Sequence, residues 1–432
     1  MTKQLSILQD DYTLNTLPSA KVKKEDKVGV HSWTNFYASF SESFVNHAIK
    51  ALGINHDQTL LDPFVGSGTT VVSGYKANVT TIGIDVDPFS CLLSKAKVSL
   101  NANHKEVHKL LRASKRTKSL KTFCSEAYNI FDNECLCYAS TVFTRLSRAI
   151  GVKQSKVFHT LLNDTQGTFD SATVALVALC IGASESANLV RGSNPTWFRK
   201  AVEGEKDNFE ALYKATIQAS KKILEDLTQI TPRNSHVKLI NYDVKDNSLN
   251  IQEGIADFII TSPPYLTRID YVVKHLPNLA ILSGLIPINI DELRKKMIGT
   301  PKIVQKGDFE VLWGKKCLDI LNKIRSHDSY ASESYYIWTY YQYFSSLYET
   351  FNNIYRLMKR NAKGLIVLQD SFYKDLHIPL SCIAVEMLES IGFTANVLKK
   401  SEVKINMRQL NPSHQKQKLK KKASEDVVYF EK

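Results

Sequence analysis

Two short apolar segments, separated by a glycine turn and one helix, constrain the fold of this chain more than any other feature. Residues 59–61 (TLL) lead into the turn DPFVGSGTT at 62–70, and residues 71–76 begin a helix. Residues 79–84 (VTTIGI) form the second apolar segment, which ends at Asp85. A strand, a helix and a second strand in this order are joined by a crossover, so the two strands share one parallel sheet. The sequence therefore predicts an α/β fold.

Strand patterns return in the last part of the chain. Residues 237–243 (VKLINYD), 256–261 (ADFIIT) and 364–370 (GLIVLQD) each fit a strand. The closing segments TANVLKK and DVVYFE can pair as an antiparallel hairpin. Because strand patterns occur near the start and the end of the chain, we expect one sheet built from both parts.

The same patterns divide the chain into four parts. Residues 1–28 form a polar N-terminal arm, and residues 29–100 hold the strand–helix–strand unit. Residues 101–235 are mostly helix-like with few β-branched runs, which predicts a large, mainly helical insertion. Residues 236–432 complete the α/β domain, with an inserted segment near 266–330 and a basic C-terminal stretch.

The charge of the chain favours a polyanionic partner. The 432 residues carry a formal net charge of +13, and the isoelectric point is near 9.2. Residues 399–422 hold nine Lys or Arg against one acid, and residues 104–122 hold seven against one. Such clusters favour phosphate contacts, although a solvated surface gives the same pattern. A nucleic acid is the partner class that fits best.

The sequence also favours a protein of a reducing compartment. No stretch approaches ~18 uninterrupted apolar residues, and the polar N-terminus has no signal-peptide segment. We therefore expect no membrane span and a cytoplasmic location. Seven scattered cysteines without a CxxC pair argue against a disulfide framework and a zinc ribbon, so we expect no metal cofactor.

The turn after the first strand has the residues of a nucleoside site. Gly66 and Gly68 let the backbone turn tightly and approach a ligand closely, and Asp85 lies 17 residues beyond Gly68, near the spacing of a ribose-binding carboxylate. The third glycine of a dinucleotide fingerprint and the GK[ST] of a Walker loop are absent from the sequence. A nucleoside without a pyrophosphate fits, and S-adenosylmethionine is such a ligand. The alternative is a structural turn with a capping aspartate, for which Asp87 before Pro88 is the better candidate.

The strand at 256–261 ends in the corner Ser262-Pro-Pro-Tyr265. Proline cannot donate to a sheet ladder, so the strand stops there. The exocyclic amino group of cytosine or adenine is a poor nucleophile, and two hydrogen-bond acceptors activate it by drawing its nitrogen toward tetrahedral geometry. The Ser262 hydroxyl and the Pro263 carbonyl are such acceptors, and an exposed Tyr265 ring would stack a flipped base with ~1–3 kcal/mol. An ordinary Pro-Pro turn is the alternative.

At these residues the chain resembles a known family. DPFVGSGTT, GIDVDP and TSPPY are similar to motifs of the amino-group DNA methyltransferases, which act on N4 of cytosine or N6 of adenine. The resemblance covers residues 28–100 and 236–432 and includes the segments TSPPYLTRIDYVVKH and VHSWTNFYASFSESFVNHAI. It implies a Rossmann-like methyltransferase fold whose seven-stranded, mostly parallel sheet ends in an antiparallel hairpin. It also implies S-adenosylmethionine as the methyl donor and duplex DNA as the partner.

The resemblance further implies the roles of individual residues. Residues 29–100 become the cofactor-binding half, in which Asp85 meets the ribose of the donor. Residues 236–432 become the catalytic half, from which Asp243 meets the adenine of the donor. The implied catalytic residues are Ser262, Pro263, Pro264 and Tyr265, and the implied donor-binding residues are Asp62, Phe64, Gly66, Gly68, Thr69, Asp85 and Asp243. Weaker candidates are His31, Trp33 and Tyr37 near the donor, and Asp270 and Tyr271 near the target base.

The residues of the corner allow more than one target base. Ser262 at the first corner position resembles the cytosine-N4 enzymes, whereas Asp or Asn there is more typical of the adenine-N6 enzymes. We therefore favour cytosine N4, with adenine N6 as the alternative. An RNA base methyltransferase, a non-catalytic DNA-binding protein and a nicotinamide oxidoreductase are further alternatives. Methylation of the cytosine ring needs a nucleophilic cysteine, usually in a Pro-Cys pair, and no such pair occurs.

The resemblance also implies a biological setting, which is site-specific modification of host DNA beside a restriction endonuclease that acts on the same site. Reading a DNA sequence needs contacts with base edges. The insertion at 101–235 and the segment near 266–330 are candidates for these contacts, and the basic C-terminal stretch is a candidate for phosphate contacts.

Overall fold

The computed structural model describes residues 12–34, 39–113, 122–191, 198–199, 208–248, 251–266, 270–403 and 423–432. The strands within these residues are β1 Thr59–Asp62, β2 Thr80–Asp85, β3 Val190–Arg191, β4 Phe198–Arg199, β5 Val237–Asn241, β6 Ala256–Thr261, β7 Met358–Gln369, β8 Ser371–Tyr373, β9 Leu376–Ile378, β10 Thr394–Val403 and β11 Ala423–Glu431. The basic run at 404–422 and part of the run at 104–122 lie outside the described residues, as does Tyr37.

The helices within the same residues are α1 Glu42–Ala51, α2 Thr69–Lys76, α3 Pro88–Ala96, α4 His104–Leu111, α5 Ser125–Ile130, α6 Asn133–Ile150, α7 Gln154–Asn163, α8 Asp170–Ser186, α9 Phe209–Leu227, α10 Tyr271–Lys274, α11 Leu276–Leu282, α12 Ile290–Lys296, α13 Lys315–Arg325, α14 Ile337–Leu357 and α15 Leu380–Ile391. A π-helical turn, Ser332–Tyr336, precedes α14. In the part of the chain that the structure describes, no helix has the length and apolar character needed to cross a membrane.

One seven-stranded sheet organises the molecule, in the order β10-β11-β7-β6-β1-β2-β5. β5, β2, β1, β6 and β7 are parallel, whereas β11 pairs antiparallel with both β7 and β10. The predicted fold class, including the terminal antiparallel hairpin, is confirmed. The short pairs β3–β4 and β8–β9 form separate two-stranded sheets.

The period-2 alternation of the central strands places an apolar layer on each face of the sheet. On one face Leu60, Ile260 and Leu365 pack with residues of α1 such as Phe44. On the other face, neighbouring residues such as Leu61 pack with the aromatic helix α14 and with α15. Successive side chains of a strand point to opposite faces, so strands buried on both faces need nearly continuous apolar sequence.

Helices α4 to α9 lie between β2 and β5 in the chain and pack around α8. The α8 sequence is apolar on almost every side, which is typical of a helix surrounded by other elements. Gly182 of α8 lets α9 approach closely, since a Cβ there would lie 2.6 Å from the backbone nitrogen of Thr216. The core of the helical region is continuous with α2, α3, α11 and strand β5.

Candidate active site

The site lies where the direction of the chain through the sheet reverses. From β1 the chain proceeds to β2 on one side, whereas β6 lies on the other side of β1 and leads to β7. In open α/β sheets, ligands bind at the carboxyl ends of the strands at such a switch point. The Thr261 hydroxyl at the end of β6 donates a 2.6 Å hydrogen bond to Asp62 Oδ1 at the end of β1. The glycine turn and the proline corner are thereby joined.

The glycine turn has little room for larger residues. Gly68 has φ +81°, and a Cβ there would lie 2.6 Å from the Ser94 hydroxyl oxygen. The backbone N–H of Gly66 donates to Asp85 Oδ2 at 2.9 Å. Beneath the turn, the buried ammonium group of Lys97 donates to the Ser67 carbonyl at 2.6 Å. The turn is thus fixed from both sides by residues that follow it in the chain.

The two acids at the strand ends are electrostatically unusual. Burial raises the pKa of Asp62 to about 6, against hydrogen bonds from Thr261, Thr70 and the Phe64 amide. Burial and the charge of Asp87 raise the pKa of Asp85 to about 7. Strongly shifted carboxyl groups in a cleft are candidates for a functional site.

Asp87 has the capping role that the sequence predicted. Its carboxylate accepts from the Phe89 amide at 2.8 Å and from the Ser90 hydroxyl at 3.1 Å at the start of α3. The same carboxylate lies 2.6 Å from His275 Nδ1, and both side chains are buried. The pair connects the start of α3 to α10 and α11.

A cleft opens above these residues and encloses about 840 Å³ of space, including solvent at its mouth. The predicted residues that line it are Asp62, Phe64, Gly66, Thr69, Asp85, Asp243, Ser262 and Pro264, together with Tyr271. Gly68, Pro263 and Tyr265 lie outside the lining. One cleft therefore contains residues of both the glycine turn and the proline corner.

The proline corner is held by hydrogen bonds from three directions. The Ser262 hydroxyl donates to the Val367 carbonyl of β7 at 3.1 Å. A hydroxyl whose proton is used in this way has its lone pairs left to accept hydrogen bonds. The Tyr343 hydroxyl of α14 donates to the Pro264 carbonyl at 3.0 Å, and the Ser371 hydroxyl donates to the Leu266 carbonyl at 3.1 Å. The corner is therefore fixed before any ligand arrives.

Tyr265 differs from the sequence expectation of an exposed ring. Its side chain is buried, with 5% exposure, and its hydroxyl donates to Glu425 Oε1 at 3.0 Å. Burial and the neighbouring Glu425 raise the pKa of Tyr265 well above its usual value, so the phenol stays protonated. The expectation of exposure was wrong because the Tyr265 hydroxyl bonds to the carboxylate of Glu425 on β11, which is distant in sequence.

The chain is similar in sequence to known DNA methyltransferases. Residues 7–96 match the N6_N4_Mtase family model, described as DNA methylase. The Type II methyltransferase M.BsoBI of Geobacillus stearothermophilus is 25% identical over 444 aligned residues, which cover 90% of this chain and 84% of that protein. M.AvaI of Nostoc sp., another Type II methyltransferase, is 23% identical over 62% of this chain and 57% of its own length.

The resemblance to the amino-group DNA methyltransferases of restriction-modification type is confirmed. Among solved structures, the rRNA methyltransferase aviRa of Streptomyces viridochromogenes covers 91% of this chain and 87% of its own, with 10% identity and a TM-score of 0.27. That likeness is too distant to bear on the site.

Three of the weaker candidates, His31, Trp33 and Asp270, have partners of their own and do not line the cleft. Trp33 is buried, and its indole N–H donates to Asp226 of α9 at 2.7 Å. His31 pairs with Glu42 at 3.1 Å. Asp270 accepts from the Val273 amide and pairs with Arg294 at 2.7 Å. These contacts give each side chain a packing or capping role.

Sequence reasoning missed several residues that support the site. They are Lys97, His275, Tyr343 and Glu425, each of which contacts a predicted residue or its neighbour. Each lies between 30 and 188 positions from its partner in the sequence. Such contacts have no local pattern, although the lone acid pair Glu425-Asp426 within an apolar strand was a visible irregularity.

Proposed function

We propose that this protein is a site-specific DNA methyltransferase that transfers a methyl group from S-adenosylmethionine to the N4 amino group of cytosine in duplex DNA. The observation that carries the proposal is the common cleft of Asp85, the glycine turn and Ser262 at the switch point of the sheet. A nucleoside site and an amino-group acceptor site adjoin there, which is the arrangement that direct transfer to a base requires.

The residues present fit S-adenosylmethionine. Both oxygens of Asp85 accept one backbone N–H each, from Gly66 and Asp87, and a carboxylate has further lone pairs for ribose hydroxyls. Residues 64–68 and Thr69 would hold the rest of the donor, and Asp243 would meet its adenine. The bound donor supplies an electrophilic methyl group on its sulfonium sulfur.

The corner would act on the target base. The Ser262 hydroxyl and the Pro263 carbonyl would each accept a hydrogen bond from one amino hydrogen and so draw the nitrogen toward tetrahedral geometry. The two prolines would keep these acceptors in place. A base inside a duplex must leave the stack to reach such a corner. Tyr265 would support the corner from the buried position described above while the base is bound.

The choice of cytosine rests on Ser262 at the first position of the corner. A duplex DNA partner is consistent with the net charge of +13. We further propose a cytoplasmic modification enzyme that protects DNA beside a restriction endonuclease acting on the same site.

The deciding experiment is to incubate the purified protein with unmethylated duplex DNA and S-adenosylmethionine, digest the DNA to nucleosides and identify the product by mass spectrometry. We expect N4-methylcytosine from the wild type and at least ~10²-fold less from Ser262→Ala, because one of two positioned acceptors is removed. N6-methyladenine would keep the donor and the corner but contradict the base assignment. The absence of any methylated nucleoside, with donor binding retained, would contradict DNA methylation.

A further inference from the structure

A buried carboxylate on the last strand reaches the catalytic corner. Glu425 of β11 is 7% exposed, and its Oε1 accepts the hydrogen bond from the Tyr265 hydroxyl at 3.0 Å. Its other oxygen, Oε2, is buried and has no hydrogen-bond partner within the described residues. Burying an acid with so few partners costs stability. A role in the corner is one reason to keep it there.

Glu425 acts on the corner through Tyr265. It does not line the cleft, so it has no direct path to a bound base in this structure. Tyr265 and Ser262 lie three positions apart in one corner, whose backbone the two prolines restrict. A hydrogen bond that holds the Tyr265 hydroxyl therefore also limits movement of the corner that carries Ser262.

We propose that Glu425 is a positioning residue for methyl transfer, which fixes Ser262 and the corner backbone by holding the Tyr265 hydroxyl. The inference rests on the proposed function. The Ser262 and Pro263 acceptors work only when they are aligned with the amino hydrogens of the base, and small displacements of such groups are expensive in rate. Bonds from Tyr343 and to Val367 fix the backbone and Ser262 from other sides, so Glu425 completes the support on the Tyr265 side.

The neighbouring residue provides a matched control. Asp426 is also a buried acid of β11, with 1% exposure, and its Oδ2 accepts from the Ser381 hydroxyl at 2.6 Å. Its Oδ1 is buried without a partner in the described part of the chain, like Oε2 of Glu425. Adjacent residues of a strand point to opposite faces, so the Asp426 pair does not involve the corner. Substituting either acid removes a buried carboxylate from β11, but only the Glu425 substitution removes the contact with Tyr265.

The experiment measures single-turnover methyl transfer, donor affinity and thermal stability for Glu425→Ala, Glu425→Gln, Tyr265→Phe, the double variant Tyr265→Phe/Glu425→Ala, and Asp426→Ala. We expect Glu425→Ala to lower the transfer rate by ~10- to 100-fold with donor affinity changed less than ~2-fold. Glu425→Gln keeps an acceptor for the phenol and should restore the rate to within ~3-fold of wild type. Because the two residues act as one unit, the double variant should be no slower than the slower single variant.

Equal rate losses in Glu425→Ala and Asp426→Ala would overturn the proposal, since burial alone would then explain both. Strictly additive losses in the double variant would also overturn it. If Glu425→Ala does not fold, Tyr265→Phe is compared with the double variant Tyr265→Phe/Glu425→Gln. A transfer rate that is lower in the double variant than in Tyr265→Phe would contradict the proposal. A wild-type protein that methylates no DNA would remove the proposed function itself, whereas an active wild type with an unaffected Glu425→Ala removes only this inference.

Discussion

Asp62 and Asp85 are buried acids of the cleft whose ionisation the fold changes strongly. Each ends a parallel strand beside the cleft, and burial raises the pKa of Asp62 to about 6 and that of Asp85 to about 7. A carboxyl group accepts hydrogen bonds from two ribose hydroxyls best when it is ionised, so a ligand with such hydroxyls would favour the charged form. Binding of S-adenosylmethionine, as proposed above, is therefore expected to lower the proton occupancy of Asp85.

This raised pKa predicts how stability depends on pH. Between about pH 4, where an unfolded aspartate titrates, and about pH 7, the folded protein binds more protons at Asp85 than the unfolded chain does. The free energy of unfolding should fall as pH rises through this interval and level off above it. In urea titrations at several pH values, Asp85→Asn should show a shallower fall than wild type. Asp257→Asn, at the other end of the sheet, is the control, and identical slopes for Asp85→Asn and wild type would contradict the prediction.

At the scale of the element, helix α3 supports the glycine turn from below. Two buried lysines lie at its C-terminal end, with exposures of 3% for Lys95 and 1% for Lys97. Lys97 donates to the Ser67 carbonyl in the turn, whereas Lys95 donates to the Asp164 carbonyl after α7. Burial lowers the pKa of Lys97 to about 7. One helix end thus holds the glycine turn with one lysine and the helical region with the other.

The two lysines allow a matched test of the turn. We expect Lys97→Met to weaken binding of S-adenosylhomocysteine, the demethylated form of the donor, by ~10-fold in calorimetry. The reason is that the Ser67 carbonyl of the turn loses its hydrogen-bond donor, and an unsatisfied buried acceptor costs ~1–3 kcal/mol. Lys95→Met should destabilise the fold to a similar extent in thermal melts but leave this affinity within ~2-fold. If the two variants weaken binding equally, the loss comes from general destabilisation and the role of Lys97 in the turn is wrong.

In the molecule as a whole, the cleft lies at the carboxyl ends of the central strands. The two basic clusters, at 104–122 and 399–422, belong to other parts of the chain. The cluster at 399–422 begins within β10 and ends just before β11, the strand that carries Glu425. Phosphate contacts release counterions from DNA and make binding dependent on salt. DNA affinity and methyl transfer are therefore expected to depend on different residues.

Neutralising Lys420, Lys421 and Lys422 tests that separation. Replacing all three by Gln should reduce the slope of log affinity against log salt, measured by fluorescence anisotropy, by about one for each DNA phosphate that is no longer neutralised. Ser262→Ala should keep the wild-type slope although methyl transfer is impaired. An unchanged slope in the triple variant would show that the cluster does not contact phosphates.

Features that depend on neighbouring residues could be predicted before the structure was known. The strand–turn–helix–strand unit, the cap at Asp87, the terminal hairpin and the placing of Asp85 and Ser262 at strand ends all follow from local periodicity and turn chemistry. Tertiary structure alone decided which side chains complete the corner. Glu425 lies 160 positions from Tyr265, and the sheet brings them together only after β11 has inserted beside β7. Long-range pairing depends on the packing of the whole core, so the burial of Tyr265 could not be predicted from its neighbours.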